Sequence, residues 1–166
     1  MSRKFDSEIC INAQDEWMFH GNSIIQEKIL SYFRSNLKED QDGVYILNQF
    51  GELEEHGYLK IEGYPLHITN ITDEEGTLFF SSDSGISLKI NDVELLLNNN
   101  QNLILRNKNH QRIFQRLSNH AAVQLAEWIE ETDNGYLIVH QVESFPILKI
   151  DDTSTTVPTK YSKKSN

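Results

Sequence analysis

Cysteine is nearly absent: Cys10 is the single one in 166 residues. One thiol can neither close an intramolecular disulfide nor build a multi-thiolate metal site, so both classes are excluded. Cys10 alternates with Ile9 and Ile11 as a strand residue does, and no cluster of bases lies beside it to activate the thiol. It reads as a structural cysteine. Long apolar runs are missing as well. No stretch approaches the roughly 20 apolar residues that a spanning helix needs, and membrane insertion is not expected. The opening residues, Met1-Ser-Arg-Lys-Phe-Asp6, carry charge with no apolar run behind it, unlike a secretory signal. A cytoplasmic location is therefore expected. Bases are scarce: 15 against 25 acids leave a net charge of −10 and a pI near 5.0. Such a chain lacks the positive surface that neutralises phosphates, and no long nucleic acid is expected as a partner.

What is present suffices for a packed interior, with 38% hydrophobic and 10% aromatic residues. Ile9/Ile11 and Trp17/Phe19 alternate on either side of Ala13–Glu16, which predicts an opening hairpin. Ile25, Ile29, Phe33 and Leu37 recur every four residues and predict an amphipathic helix over about 23–38, capped by Ser23 or Asn22. The middle of the chain holds short alternating segments separated by turns, which predicts a curved antiparallel sheet. Leu117, Ala121, Leu125 and Ile129 predict a second helix over about 112–131. Both helices lead through an acidic turn and a glycine, Gly43 or Gly135, into an apolar strand. A shift of 92 positions, from Gly43 to Gly135, superposes Ile25 on Leu117, Ile29 on Ala121, Phe33 on Leu125 and Leu37 on Ile129. Either the chain is an internal duplication, or two amphipathic helices followed by strands happen to align. On this stripe, aspartate at Ile29 or Leu125 should unfold the unit that carries it.

The segments Trp17-Met-Phe-His-Gly-Asn-Ser-Ile24, Ile29-Leu-Ser-Tyr-Phe33, Asp42-Gly-Val-Tyr-Ile-Leu47, Ile61-Glu-Gly-Tyr-Pro-Leu66, Leu78-Phe-Phe-Ser-Ser82 and Ser144-Phe-Pro-Ile147 run in an order that resembles the bacterial domain-of-unknown-function 1285 family. The likeness spans about residues 9–148 and lies in the pattern of apolar, Gly and Pro positions. It implies an α+β architecture of two parts with repeated motifs, a pleckstrin-homology-like C-terminal part, a ligand cleft between the parts and a role in signalling. The expected fold is accordingly α+β, two structurally related units each with one main helix against antiparallel strands. The expected division is a flexible leader over 1–7, an N-terminal α+β unit over 8–57, a pleckstrin-homology-like unit over 58–150 and a flexible tail over 151–166.

No catalytic residue is expected, because no motif has the spacing that chemistry demands. The histidines His20, His56, His67, His110, His120 and His140 form no short ligand motif, and no metal or cofactor is expected. Glu52, Glu54 and Glu55, and Asp73, Glu74 and Glu75, flank glycines and read as solvated turns rather than an acid–base pair. No Gly-x-Ser-x-Gly elbow is present. Arg106, Lys108, Arg112 and Arg116 form the one dense basic stretch, which either balances acidic loops or binds a small anion. The leading expectation is non-enzymatic binding of a small anionic, nucleotide-like ligand. Arg106 and Arg116 would contact the anion, His20 would be a polar contact at a strand-to-helix junction, and Asp83 a hydrogen-bond acceptor. The rival expectation is a protein–protein adaptor that meets its partner through exposed strands and aromatics such as Trp17 and Tyr64.

Overall fold

The computed structural model describes residues 2–162. The tail residues Lys163 and Lys164 lie outside the described residues. The chain folds as two compact units, one formed by residues 2–65 with 153–162 and the other by residues 66–152. The fold is mixed α/β, with two α-helices among the described residues and two large sheets.

In the first unit, β1 (Ser2–Ile11), β2 (Trp17–Phe19), β3 (Asn22–Ser23), α1 (Glu27–Ser35), β4 (Leu37–Glu39), β5 (Val44–Phe50) and β6 (Leu53–Ile61) build a sheet of order β3-β2-β1-β6-β5-β4. The expected leader is thus a strand, because residues 2–6 pair in register with residues 54–58 of β6. The expected boundary at 57/58 falls inside β6, and β6 runs parallel to β1. The carboxylates of Glu54 and Glu55 stand in that strand, with Glu55 held by Arg3 at 2.8 Å. Residues 153–162 are also attached. Thr155 and Ile61 exchange both backbone hydrogen bonds, Tyr161 stacks on Tyr58 at 5.3 Å, and Lys160 reaches Asp42 at 3.3 Å. Gly63 lies so close to the β1–β2 loop that a side chain there would run into the Asn12 carbonyl and the Asp15 carboxylate.

The second unit begins with β7 (Leu66–Glu74), β8 (Thr77–Ser82) and β9 (Ser87–Lys89). A single 3₁₀ turn, Ile90–Asp92, leads into β10 (Val93–Leu97), β11 (Leu103–Asn107), β12 (Gln115–Leu117), α2 (Asn119–Ala126), β13 (Ile129–Thr132), β14 (Gly135–His140) and β15 (Glu143–Lys149). Its sheet order is β13-β14-β15-β10-β11-β12-β7-β8-β9, with β15 parallel to β10 and β12 parallel to β7. Both sheets are therefore mixed rather than antiparallel. In each unit a helix-containing connection of several elements intervenes, long enough to bring a strand back in the same direction.

The run β10–β15 repeats the connectivity and order of β1–β6. The register repeats as well. Leu37 pairs with Ile46 as Ile129 pairs with Ile138, and the Glu62 amide donates to the Ile11 carbonyl as Ile150 does to Leu97. The β1–β2 and β10–β11 loops are built alike by an asparagine. The Asn12 side-chain oxygen accepts from the amides of Gln14 and Glu16, and the Asn98 oxygen accepts from Asn100 and Asn102. Asp15 and Gln101 sit at the matching positive φ, 66° and 65°. In both loops the side chain replaces the backbone partners that a tight turn leaves unsatisfied.

Both helices are shorter than their apolar stripes. Ser23 does not cap α1; it pairs with Met18 in β3 and its hydroxyl donates to Glu16 at 3.0 Å, while Gln26 takes the cap position without a side-chain bond. Ile25 and Leu37 consequently lie outside the helix, Ile29 is 39% exposed, and Leu30 is the buried residue of α1. Ser118 does cap α2, accepting from the Ala121 amide at 3.1 Å, which leaves residues 115–117 extended. Ala121 and Leu125 are fully buried in the second unit's core, among Ile68, Leu95, Leu105 and Ile138.

The two stripe residues therefore differ in consequence. Leu125→Ala should lower stability by about 2–5 kcal/mol, whereas Ile29→Ala should cost under about 1 kcal/mol, as read by urea unfolding. Equal losses would contradict this core.

Candidate functional site

The four residues expected from the sequence fall in different settings. His20 belongs to the first unit, in the β2–β3 turn at a φ of 49°, where its ring stacks on Phe19 at 4.0 Å and Nε2 lies 3.2 Å from Glu8. The other three belong to the second unit. Arg106 on β11 stands opposite Glu94 on β10 and binds it at 2.6 Å, with its guanidinium 5.1 Å above the Phe114 ring. Its charge is thus neutralised where it stands. Arg116 on β12 is paired in register with His67 on β7, and Asp83 accepts from the His67 amide at 2.9 Å. The structure thus brings Asp83 and Arg116 to either side of His67.

Sequence reasoning missed a more open cationic place in the same unit. β8 and β9 pair Phe79 with Lys89 in register, which puts both side chains on one face of the sheet. Across the 3₁₀ turn, the Lys108 amide donates to the Asp92 carbonyl at 2.9 Å, and Asn107 folds the following turn by accepting from the Asn109 amide. Phe79, Ser87, Lys89, Asp92, Lys108 and Asn109 line a hollow of about 490 Å³. Among the described residues, neither lysine has an ion pair. The hollow therefore offers two uncommitted cations against the single carboxylate of Asp92, with amide and hydroxyl groups and an aromatic ring. That combination suits an anion carrying a planar group. Lys108 belongs to the basic stretch, but Lys89 lies 19 residues before it, so no local motif announces the pair.

Other polar clusters hold structure together. Asp73 accepts from buried His140 at 2.8 Å, a bond that keeps its carboxyl below the ordinary range. Burial, and then the Glu62 carboxylate, push the Cys10 thiol up, so it is protonated at neutral pH. Among the described residues, no three of His, Cys, Asp and Glu gather in a metal-binding group. Trp17 and Tyr64, expected to be exposed, are buried: the indole donates to the Pro65 carbonyl at 3.2 Å, and the Tyr64 hydroxyl accepts from Thr153. Tyr58, fully buried, donates its hydroxyl to Asp40 at 2.5 Å. Burial alone would raise Asp40, but the Tyr58 hydroxyl and the amides of Asp42 and Gly43 outweigh it and hold the carboxyl below its ordinary value.

The fold defines a mixed α/β protein built on a repeated seven-element motif. No family model and no curated protein matches the sequence. Among solved structures, a DUF1285 family protein from Silicibacter pomeroyi DSS-3 matches with a TM-score of 0.67 and 14% identity, over 88% of this chain and 81% of that one. A second DUF1285 family protein, from Shewanella baltica OS155, matches with a TM-score of 0.49 and 20% identity, over 67% of this chain and 84% of that one. The structural neighbours are thus DUF1285 family proteins, and the first shares the fold across most of both chains.

The Asp40–Tyr58 pair should make stability depend on acid. A carboxyl held low in the folded state contributes above its unfolded value of about 3.9, and the contribution is lost as pH falls through the folded value. Tyr58→Phe should therefore be less stable than the wild type at pH 7, with the gap narrowing below about pH 4. Urea unfolding at pH 7 and pH 3 reads the two gaps, and a gap independent of pH would refute the linkage.

Proposed function

We propose that the protein is a non-enzymatic binder of a small anionic, nucleotide-like ligand, with a signalling role, and that Lys89 and Lys108 carry the contact. The observation behind this reading is two unpaired ammonium groups flanking one hollow on a chain of net charge −10. Long polyanions are repelled by such a chain, whereas a ligand small enough to enter the hollow meets the lysines and little of the remaining charge. Arg116, with Asp83 across His67, is a second anion contact in this reading. Arg106 contributes less, because Glu94 already occupies its guanidinium. His20 is retained as a polar contact on the first unit. The pleckstrin-homology-like character implied for the C-terminal part belongs to the same reading, since the lysines lie where strands of that unit connect.

The adaptor reading has its own support on α1 and the turn before it. Ile25 is 81% exposed, and Ile29 and Tyr32 are exposed beside it. Strand addition is less favoured. Unit edges β3, β4, β9 and β13 hold two to four residues each, too short to template a partner strand well.

Calorimetric titration with AMP and with inorganic pyrophosphate separates these readings. Wild type should bind at least one probe, with Lys89→Ala/Lys108→Ala weakened about tenfold or more, some 1.4 kcal/mol. Arg106→Ala should leave affinity nearly unchanged. Equal binding by the wild type and the double lysine variant would overturn the assignment, and no binding of either probe would favour the adaptor.

A further inference from the structure

The two copies of the repeated motif differ in how they fill the core around the position of Trp17. In the second unit, Leu97, Gln101, Leu103, Ile129, Tyr136 and Ile147 line an apolar hollow of about 230 Å³. The register of the repeat gives each an equivalent in the first unit, in order Ile11, Asp15, Trp17, Leu37, Val44 and Leu59. There the place is closed. Ile11, Val44 and Leu59 are fully buried, Trp17 is 3% exposed, and its indole stacks on Phe33 at 5.8 Å. The Asp15 carboxylate completes the closure by accepting from the Tyr64 amide at 2.9 Å. In the second unit Leu103 stands where Trp17 would be, and the hollow is left.

We infer that this hollow is a binding site for a small neutral aromatic molecule of one or two fused rings, which takes the volume that the Trp17 side chain fills in the first unit. The size fits that class. A cavity of about 150 Å³ lined by aliphatic side chains holds a benzene ring, while drug-sized ligands need about 300 Å³ or more. The lining fits as well, with four aliphatic side chains forming the walls and two polar groups completing them. Among the described residues, neither the Gln101 carboxamide nor the Tyr136 hydroxyl has a hydrogen-bond partner. A ring carrying one donor, as the indole of Trp17 does, would find an acceptor in either. The polar groups carry no charge, so the class is neutral and separate from the anion proposed at Lys89 and Lys108. The two sites share no residue.

The test uses the full chain and 5-fluoroindole as probe. Fluorine NMR should show saturable binding at about millimolar probe or tighter, and methyl spectra should shift at Leu97, Leu103 and Ile129. Leu103→Trp copies the first unit and should abolish binding while melting at or above the wild-type temperature. Ile129→Phe fills the same hollow from the edge strand and should also abolish it, which keeps the test decisive if the tryptophan variant does not fold. Absence of methyl shifts in the wild type at millimolar probe would overturn the site, and so would undiminished binding by a folded filled variant.

Discussion

The parallel pairing of the first and last strands of each repeat is the constraint on which the rest of the molecule depends. β1 with β6, and β10 with β15, bring together residues some fifty positions apart in the chain. Every other pairing in the repeat is a local hairpin. Closing so long a loop costs entropy that local turns do not pay, and the return is a core face that neither hairpin arm could make alone. In the first unit that face joins Ile11 to Ile61, and in the second Leu97 to Lys149. The lysine at the second position marks where the second copy ceases to bury its sheet.

Within that constraint, local chemistry decides the turns. Asn12 and Asn98 occupy equivalent loop positions and make equivalent bonds, although the residues they organise, Ala-Gln-Asp-Glu and Asn-Asn-Gln-Asn, share little. An asparagine tract that looks like low complexity is thus a turn whose first residue does the ordering. The offset of 92 between the helices was legible because the apolar spacing and the glycine after it keep one register in both copies, although Ile29 is exposed where Ala121 is buried. Helix length was not legible. Ile113, Gln115 and Leu117 alternate as a strand does, yet Leu117 also continues the four-residue stripe of α2. Two periods coincide over so short a window, and the Ser118 cap rather than the apolar pattern settles the boundary.

The site was harder to see than the fold because it is assembled from residues with no local signature. The dense run of bases at Arg106–Arg116 drew attention, but an antiparallel register places Glu94 directly across from Arg106 and cancels it. Lys108 belongs to that run but Lys89 stands far from it in the sequence, and the 3₁₀ turn between β9 and β10 brings the two to one hollow. Whether a cation is available depends on its cross-strand neighbour, a property that composition cannot carry. The same applies to Trp17. A large aromatic in an opening hairpin looks like a contact surface, but a donor bond to Pro65 and a stacked Phe33 make it core.

The repeated connectivity gives the two units one scaffold and leaves their differences to be explained by what each adds. The first unit adds the segment through Gly63 and Tyr64 and the attached residues 153–162, and its core is closed around Trp17. The second adds β7, β8 and β9 beside β12, and its repeat keeps a smaller Leu103 where the first has the indole. A two-residue edge at β3 needs no cover, whereas β12 is continued into a longer sheet, and that extension supplies Phe79 and Lys89. Stability and access draw on the same positions in opposite directions, because a filled core excludes ligands and an open one forgoes burial. The copy that fills its core with its own side chain is therefore the scaffold copy. The copy that spares that volume and has uncommitted cations is the one on which most of the proposed ligand contacts fall.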